Sequence, residues 1–180
     1  MKFSFLSNSI FKPLRFSYIL IIILMTIPIL FSLTLYPMYT NHYDQLITNV
    51  SRANKLNQII KINISDEIWD IVAGKKSFKQ GNQYKLIEDT KDIISEMIIY
   101  TKSDNNKQLL EVAKRAVKTL EKYVNILGNQ INNNAPVSKN EKTLEEIRSV
   151  ASLIHDIIED YIFAEIETYA QTNNDIKKSS

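Results

Sequence analysis

Apolar residues recur at steps of three and four along most of the chain, which is the spacing of one face of an α-helix. The first such stripe begins at Tyr43 and reaches Ile71. Later stripes begin near Leu86, Leu109 and Leu144. The pattern therefore predicts four amphipathic helices, each with one face that must be buried.

Short polar stretches separate the four stripes. Gly74 predicts the end of the first helix, because glycine takes the positive φ that often follows a helix. The segments 103–106 and 132–136 interrupt the later stripes, and Ser138 with Glu141 fits a capping box at the start of the fourth helix. With short connections, four such helices pack most simply as an antiparallel four-helix bundle. The predicted fold class is all-α.

An uncharged apolar run over 16–36 precedes the first stripe. About 20 apolar residues cross a bilayer as a helix, so the run predicts a transmembrane helix that continues into the bundle. A cleaved signal peptide is the alternative, but its apolar region is usually about 7–15 residues long. Lys2, Lys12 and Arg15 lie before the run, which predicts a cytoplasmic N-terminus and a helical domain outside the cell.

These expectations divide the chain into four parts. Residues 1–15 are a basic cytoplasmic N-terminus, 16–36 the transmembrane helix and 37–173 an extracytoplasmic sensor domain. Residues 174–180 are a C-terminal tail, after which a second transmembrane helix would be expected. The predicted localisation is the cell membrane, with a single pass.

Composition excludes several kinds of chemistry. The net charge is +2 and the chain has no cysteine, so neither a broadly basic nucleic-acid binder nor a thiolate site is expected. The three glycines are scattered, which argues against a phosphate-binding loop. His42 and His155 are far apart and do not form a metal-binding motif. We predict no catalytic residue, no metal and no cofactor.

Three residues are weak candidates for ligand binding. Asn54 and Asn57 lie on or beside the apolar stripe of the first helix and could contact a polar ligand, although a buried Asn that fixes helix register is the favoured interpretation. Trp69 could form a ligand platform near the end of that helix, although a core anchor is favoured.

A charged face on the fourth helix has a less specific interpretation. It contains His155 and the carboxylates of Glu159, Asp160 and Glu165. A histidine followed by an acid on a helix is similar to a phosphoacceptor, and the carboxylates could form a cation site. A solvated face is the favoured interpretation of both.

Four segments give the chain a family resemblance: YDQLITNVSRANKLNQII, EIWDIVAGKKSF, AVKTLEKYVNIL and EEIRSVASLIHDIIEDYIFAEI. Together with the predicted anchor, they resemble the sensory region of YesM-like sensor histidine kinases of Gram-positive bacteria. The resemblance implies the input region of a membrane-bound two-component kinase, truncated before its catalytic part, that signals by helix displacement. Any enzymatic activity would belong to that missing part.

Two other functions remain open at the level of sequence. One is a chemoreceptor-type four-helix ectodomain, and the other is a stand-alone membrane-tethered interaction protein. The expected partners are a lipid membrane, a second copy in a homodimer, and an extracellular ligand or a ligand-loaded binding protein.

Overall fold

The computed structural model describes the backbone of residues 7–179 and the side chains of 15–30, 32–33, 40 and 43–175. The described chain is all-helical, with 91% helix and no strand, which confirms the predicted all-α class. The helices are α1 (Ser7–Gln58), a π-helical segment (Ile59–Ile64), α2 (Ser65–Val72), a 3₁₀ turn (Phe78–Gln80), α3 (Gln83–Tyr100), α4 (Asp104–Asn132) and α5 (Val137–Ser179).

The chain divides into two compact units, Met1–Asp44 and Gln45–Ser180. The described part of the first unit belongs to α1, and the second unit contains every other helix. The predicted basic N-terminus at 1–15 lies outside the described side chains apart from Arg15, and His42 also lies outside them. The predicted tail at 174–180 lies partly outside them, and the backbone of α5 continues through it to Ser179.

The prediction of a membrane-spanning helix at 16–36 requires a correction. A helix needs about 20 consecutive apolar residues to cross a bilayer. Within the part of the chain that the structure describes, no helix is both long enough and apolar enough to do so. This finding overturns the predicted transmembrane helix and the predicted single-pass cell-membrane localisation.

The end of the first predicted helix is confirmed at Gly74, which has a φ of +74°. The Gly74 N–H donates to the Ile71 carbonyl (3.1 Å), and the Lys75 N–H donates to the Asp70 carbonyl (2.9 Å). These two bonds form a Schellman motif, which satisfies carbonyls left over at the helix end. The polar connection to α3 begins here.

A second Schellman motif ends α4, with an asparagine in place of glycine. Asn134 has a φ of +51°, its N–H donates to the Ile131 carbonyl (3.1 Å), and the Ala135 N–H donates to the Gln130 carbonyl (2.9 Å). The start of α5 differs from the predicted capping box. α5 begins at Val137, so Ser138 lies within its first turn rather than ahead of it.

The first predicted helix also differs from its sequence pattern, because a π-helical segment separates α1 from α2. A π-helix takes more residues per turn than an α-helix, so it rotates the face that follows it. The apolar residues of the predicted stripe are buried from Ala53 onward, but Tyr43 and Ile47 near its start are half-exposed. The buried stripe there contains Asn49 and Leu56 instead.

The core lies within the second unit. α4 packs against α3 and α5, and the π segment packs against α3 and α5. Each element contributes fully buried aliphatic side chains to a single cluster, among them Leu56, Ile60, Ile94, Leu120 and Ile154. Burial of Leu120 confirms the apolar stripe predicted for α4.

Candidate functional site

A buried polar network connects α1, α4 and α5 at one end of the second unit. Asn49 of α1 donates from Nδ2 to Glu165 Oε2 (3.4 Å), and Asn106 of α4 donates from Nδ2 to Glu165 Oε1 (3.0 Å). Asn49 and Asn106 are only 1% and 2% exposed. Asn106 also donates to Thr168 Oγ1 (3.4 Å). The Glu165 carboxylate is therefore shared by asparagines from two other helices.

The local structure of the α3–α4 connection positions Asn106. Ser103 is the N-cap of α4, and its side chain accepts a hydrogen bond from the Asn106 N–H (3.4 Å). Thr101, just after α3, is extended and buried, and its hydroxyl lies 2.8 Å from the Tyr161 hydroxyl of α5. Burial raises the pKa of Tyr161, so its hydroxyl stays protonated and available to donate.

The network is not fully satisfied. Asn49 Oδ1 is buried and has no hydrogen-bond partner among the described residues. A positive charge lies nearby on α1, where Arg52 is 3.5 Å from Glu96 and stacks over the Tyr100 ring at 4.8 Å. Partly satisfied buried polar groups stabilise a packing arrangement less than an apolar core does.

The three predicted ligand candidates do not lie in one site. Asn54 is exposed. Asn57 is half-buried, and its Oδ1 is buried without a hydrogen-bond partner among the described residues. Trp69 is 51% exposed and stacks against Arg148 of α5, with the guanidinium carbon 5.8 Å from the ring centre. The favoured interpretation of Trp69 as a core anchor is wrong, because half of its surface is accessible.

The charged face of α5 is also less solvated than expected. Glu159 and Asp160 are exposed, but Glu165 is half-buried within the polar network. His155 is half-buried, and its Nε2 lies 3.4 Å from Lys61 Nζ and 3.2 Å from Glu159 Oε1. His155 therefore contacts the π segment rather than solvent alone.

Two cavities flank α2. The larger has a volume of about 460 Å³ and lies between α2 and α3. Half of its lining residues are acidic, namely Asp66, Glu67, Asp70 and Asp89, and Lys85 also lines it. Asp70 is paired with Lys75 at 2.9 Å. The wall of this cavity is therefore partly neutralised by the chain's own lysines.

Glu67 has a structural role in that wall. Its side chain is buried, accepts from Lys76 Nζ (2.8 Å) and accepts from the Asn82 N–H (2.8 Å). The hydrogen bond from Lys76 is the main reason that the pKa of Glu67 lies below its usual value, with the Asn82 N–H adding to the effect. Glu67 thus joins α2 to the residue that precedes α3.

The smaller cavity lies between α2 and α5 and has a volume of about 160 Å³. Its apolar wall includes Ile68, Leu144 and Ile147, which are nearly or fully buried. Its other lining residues are polar Ser65, Asp66 and Arg148 and aromatic Trp69. Opposite charges, an aromatic ring and an aliphatic surface meet in a space the size of a very small ligand.

Neither Asn49 nor Asn106 is among the ligand-binding candidates that the sequence predicts. A signal for Asn49 was present, because it lies four residues before Ala53 and seven before Leu56 on a helical stripe. No such signal connects Asn106 with Glu165, which lies 59 residues away.

Comparisons with known proteins add no assignment. A scan against protein-family models, a search of curated proteins and a search of solved structures each find no match to the chain. The resemblance to sensor kinases therefore stays a prediction from sequence.

Proposed function

We propose that the unit Gln45–Ser180 is an antiparallel four-helix bundle that acts as the input module of a signalling protein. In this proposal, a bound ligand or partner shifts the first helix of the bundle relative to α5. The connection to a two-component histidine kinase is supported by the sequence resemblance alone. The shift itself is supported by contacts within the described residues.

The observation that carries the proposal is the bond between Asn49 and Glu165. It joins α1 to α5 across 116 positions of sequence, and Asn106 attaches α4 to the same carboxylate. A helix interface held by hydrogen bonds can exchange partners when one helix moves. Such an element can have two packings separated by a few kcal/mol, which a ligand can bias.

The π segment connects the polar network at Asn49 with α2, which an input module needs if a change at one is to reach the other. π-Helical turns often occur at functional sites, where a side chain or backbone is re-aimed. This segment lies between the polar network and the two cavities along the chain, and it packs against both α3 and α5. A change at α2 could therefore be passed through it to Asn49.

A distance measurement tests the proposed shift. The chain has no cysteine, so exposed Lys55 of α1 and Asp160 of α5 can be replaced by cysteine and spin-labelled at two defined positions. We expect Glu165→Gln to add a second α1–α5 distance to the distribution, because the neutral amide binds the two asparagines more weakly. Glu167→Gln on the exposed face of α5 is the matched control and should leave the distribution unchanged.

A second label pair checks that the effect is specific to α1. Exposed Lys122 of α4 and Ser152 of α5 report on the α4–α5 distance at positions far along both helices from Asn106 and Glu165. Their distance should be the same in both variants. An α1–α5 distribution unchanged by Glu165→Gln would contradict the proposal.

A second candidate function is a stand-alone interaction protein. It is favoured by Phe163 and Ile166, which lie three positions apart on α5 and are 74% and 47% exposed. Exposed apolar side chains on one helix face can form part of a protein interface. Sedimentation of the full chain and of Phe163→Asp would test it, since loss of a dimer in the variant would place the interface on this face.

A further inference from the structure

The small cavity between α2 and α5 has a composition that the proposed input role does not explain by itself. Arg148 has no carboxylate within salt-bridge distance among the described residues, and Asp66 has no cation within that distance. Both side chains line the same cavity. A guanidinium and a carboxylate thus face one small space without being neutralised by each other.

The remaining walls add an apolar surface. Ile68 and Ile147 are buried to 0% and 2% exposure and form part of the cavity lining, together with Leu144. Trp69 also lines the cavity, and the Arg148 guanidinium stacks over its ring at 5.8 Å. This stacking orients the guanidinium while leaving its N–H groups free to donate to an anion.

We infer that this cavity binds a small zwitterion with an aliphatic body, the chemistry of a free aliphatic amino acid. Its carboxylate would accept from Arg148, its ammonium would donate to Asp66, and its side chain would contact the aliphatic wall and Trp69. A planar guanidinium matches a carboxylate in a bidentate manner, which gives the site its polarity. The volume of about 160 Å³ limits the ligand to a small molecule.

The larger cavity does not offer the same recognition. Asp66, Asp70 and Asp89 give its lining one predominant sign, and Asp70 is already paired with Lys75. Since Asp66 lines both cavities, a ligand beside α5 would alter the charge that faces α3 as well. Ligand binding in the smaller cavity would then change the contacts of α2 with α3 as well as with α5. This consequence rests on the proposed input function.

The test uses the full chain and its single tryptophan, Trp69, as an intrinsic probe of the cavity. L-leucine should change the Trp69 fluorescence in a saturable manner. Leucinamide lacks the carboxylate and 4-methylpentanoate lacks the ammonium, so each should bind about tenfold to a hundredfold more weakly. Absence of a saturable response to L-leucine, or equal binding of the three probes, would overturn the inference.

Two variants test which residue binds each charged end of the ligand. Arg148→Gln should remove the preference for L-leucine over leucinamide, and Asp66→Asn should remove the preference over 4-methylpentanoate. Arg115→Gln is the control for the loss of an exposed arginine. Asp89→Asn is the control for the larger cavity, which Asp89 lines and from which the smaller cavity is distinct. Retention of both preferences in the cavity variants would also overturn the inference.

Failure of the site and failure of the proposed function give different results. The same L-leucine titration can be followed on the chain spin-labelled at positions 55 and 160. A fluorescence response without any change in the α1–α5 distance supports the site but contradicts the coupling. A missing fluorescence response contradicts the site, whatever Glu165→Gln does to the distance.

Discussion

The middle of the helical unit and its two ends are stabilised by different interactions. In the middle, Leu120, Ile94 and Ile154 are fully buried among other aliphatic side chains. At one end, Asn49 and Asn106 share the Glu165 carboxylate, and the buried Asn49 Oδ1 has no hydrogen-bond partner within the described part of the chain. At the other end, a Schellman motif at Gly74 ends α2, and Glu67 joins α2 to Asn82 ahead of α3. Apolar burial therefore dominates in the middle, whereas polar contacts and a helix-ending turn dominate at the two ends.

The largest expected effect is in the middle. Leu120→Ala removes a fully buried side chain, and the lost transfer energy plus the cavity should lower the free energy of unfolding by about 2–5 kcal/mol. Glu145→Ala on the exposed face of α5 is the control and should change it by about 0.5 kcal/mol or less. Thermal melts of both variants give the comparison. Equal melting temperatures would contradict the assignment of this region as the main source of stability.

At the polar end, a substitution should lower the free energy of unfolding by less, and the loss should depend on which asparagine is replaced. Asn106→Ala removes a donor to Glu165 and leaves a partly buried carboxylate with one fewer partner, which should cost about 1–3 kcal/mol. Asn105→Ala changes the exposed neighbour in the same helical turn and should be close to neutral. Chemical unfolding of the two variants measures the difference. Similar losses would mean that the helix start, rather than the network, determines the effect.

Much of the middle could be predicted from the sequence, because burial there follows a single helical period. The stripe through Ala113, Leu120 and Leu127 is buried as its spacing indicates, and Gly74 ends the first helix as its φ allows. The spacing of apolar residues is enough to predict burial where every buried residue is apolar.

The ends could not be predicted in the same way. Asn49 is buried, but it is polar, so a search for apolar residues at helical spacing does not include it. Its partner Glu165 lies 116 positions away, so the sequence near Asn49 does not indicate the hydrogen bond. The π segment has isoleucines at adjacent positions, Ile59 and Ile60, which fit more than one helical period. Trp69 lies in α2, just beyond that segment, and is 51% exposed although it is next to fully buried Ile68.

A smaller effect is expected at the turn after α2. Gly74→Ala places a side chain on a residue with a φ of +74°, which should cost about 1–2 kcal/mol through backbone strain. No atom lies within 4 Å of a Cβ built at this position, so crowding does not contribute. Gly74→Asn is the matched variant and should lose less, because Asn134 adopts a φ of +51° in the same role after α4. Equal melting temperatures for the two variants would contradict strain as the cause.

The smallest expected effect is a pH dependence carried by Glu67 at the same end. The pKa of Glu67 lies below its usual value because Lys76 hydrogen-bonds to the charged form. A group whose pKa is lowered by folding contributes stability above its unfolded pKa, which is about 4.3 for glutamate, and loses that contribution as the pH falls through the folded value. The wild-type protein should therefore have a higher melting temperature than Glu67→Gln at pH 7.

The difference should narrow as the pH falls below about 4.3, because protonated Glu67 then resembles glutamine in charge. Glu88→Gln is the control, since Glu88 forms a surface pair with Lys91 at 3.3 Å that contributes little. Its melting temperature should stay close to that of wild type across the same range. If the difference in melting temperature between wild type and Glu67→Gln stays constant down to about pH 3, the ionised form of Glu67 does not stabilise this end. The turn would then depend on the backbone geometry at Gly74 and on the hydrogen bond from the Asn82 N–H, which a glutamine can still accept.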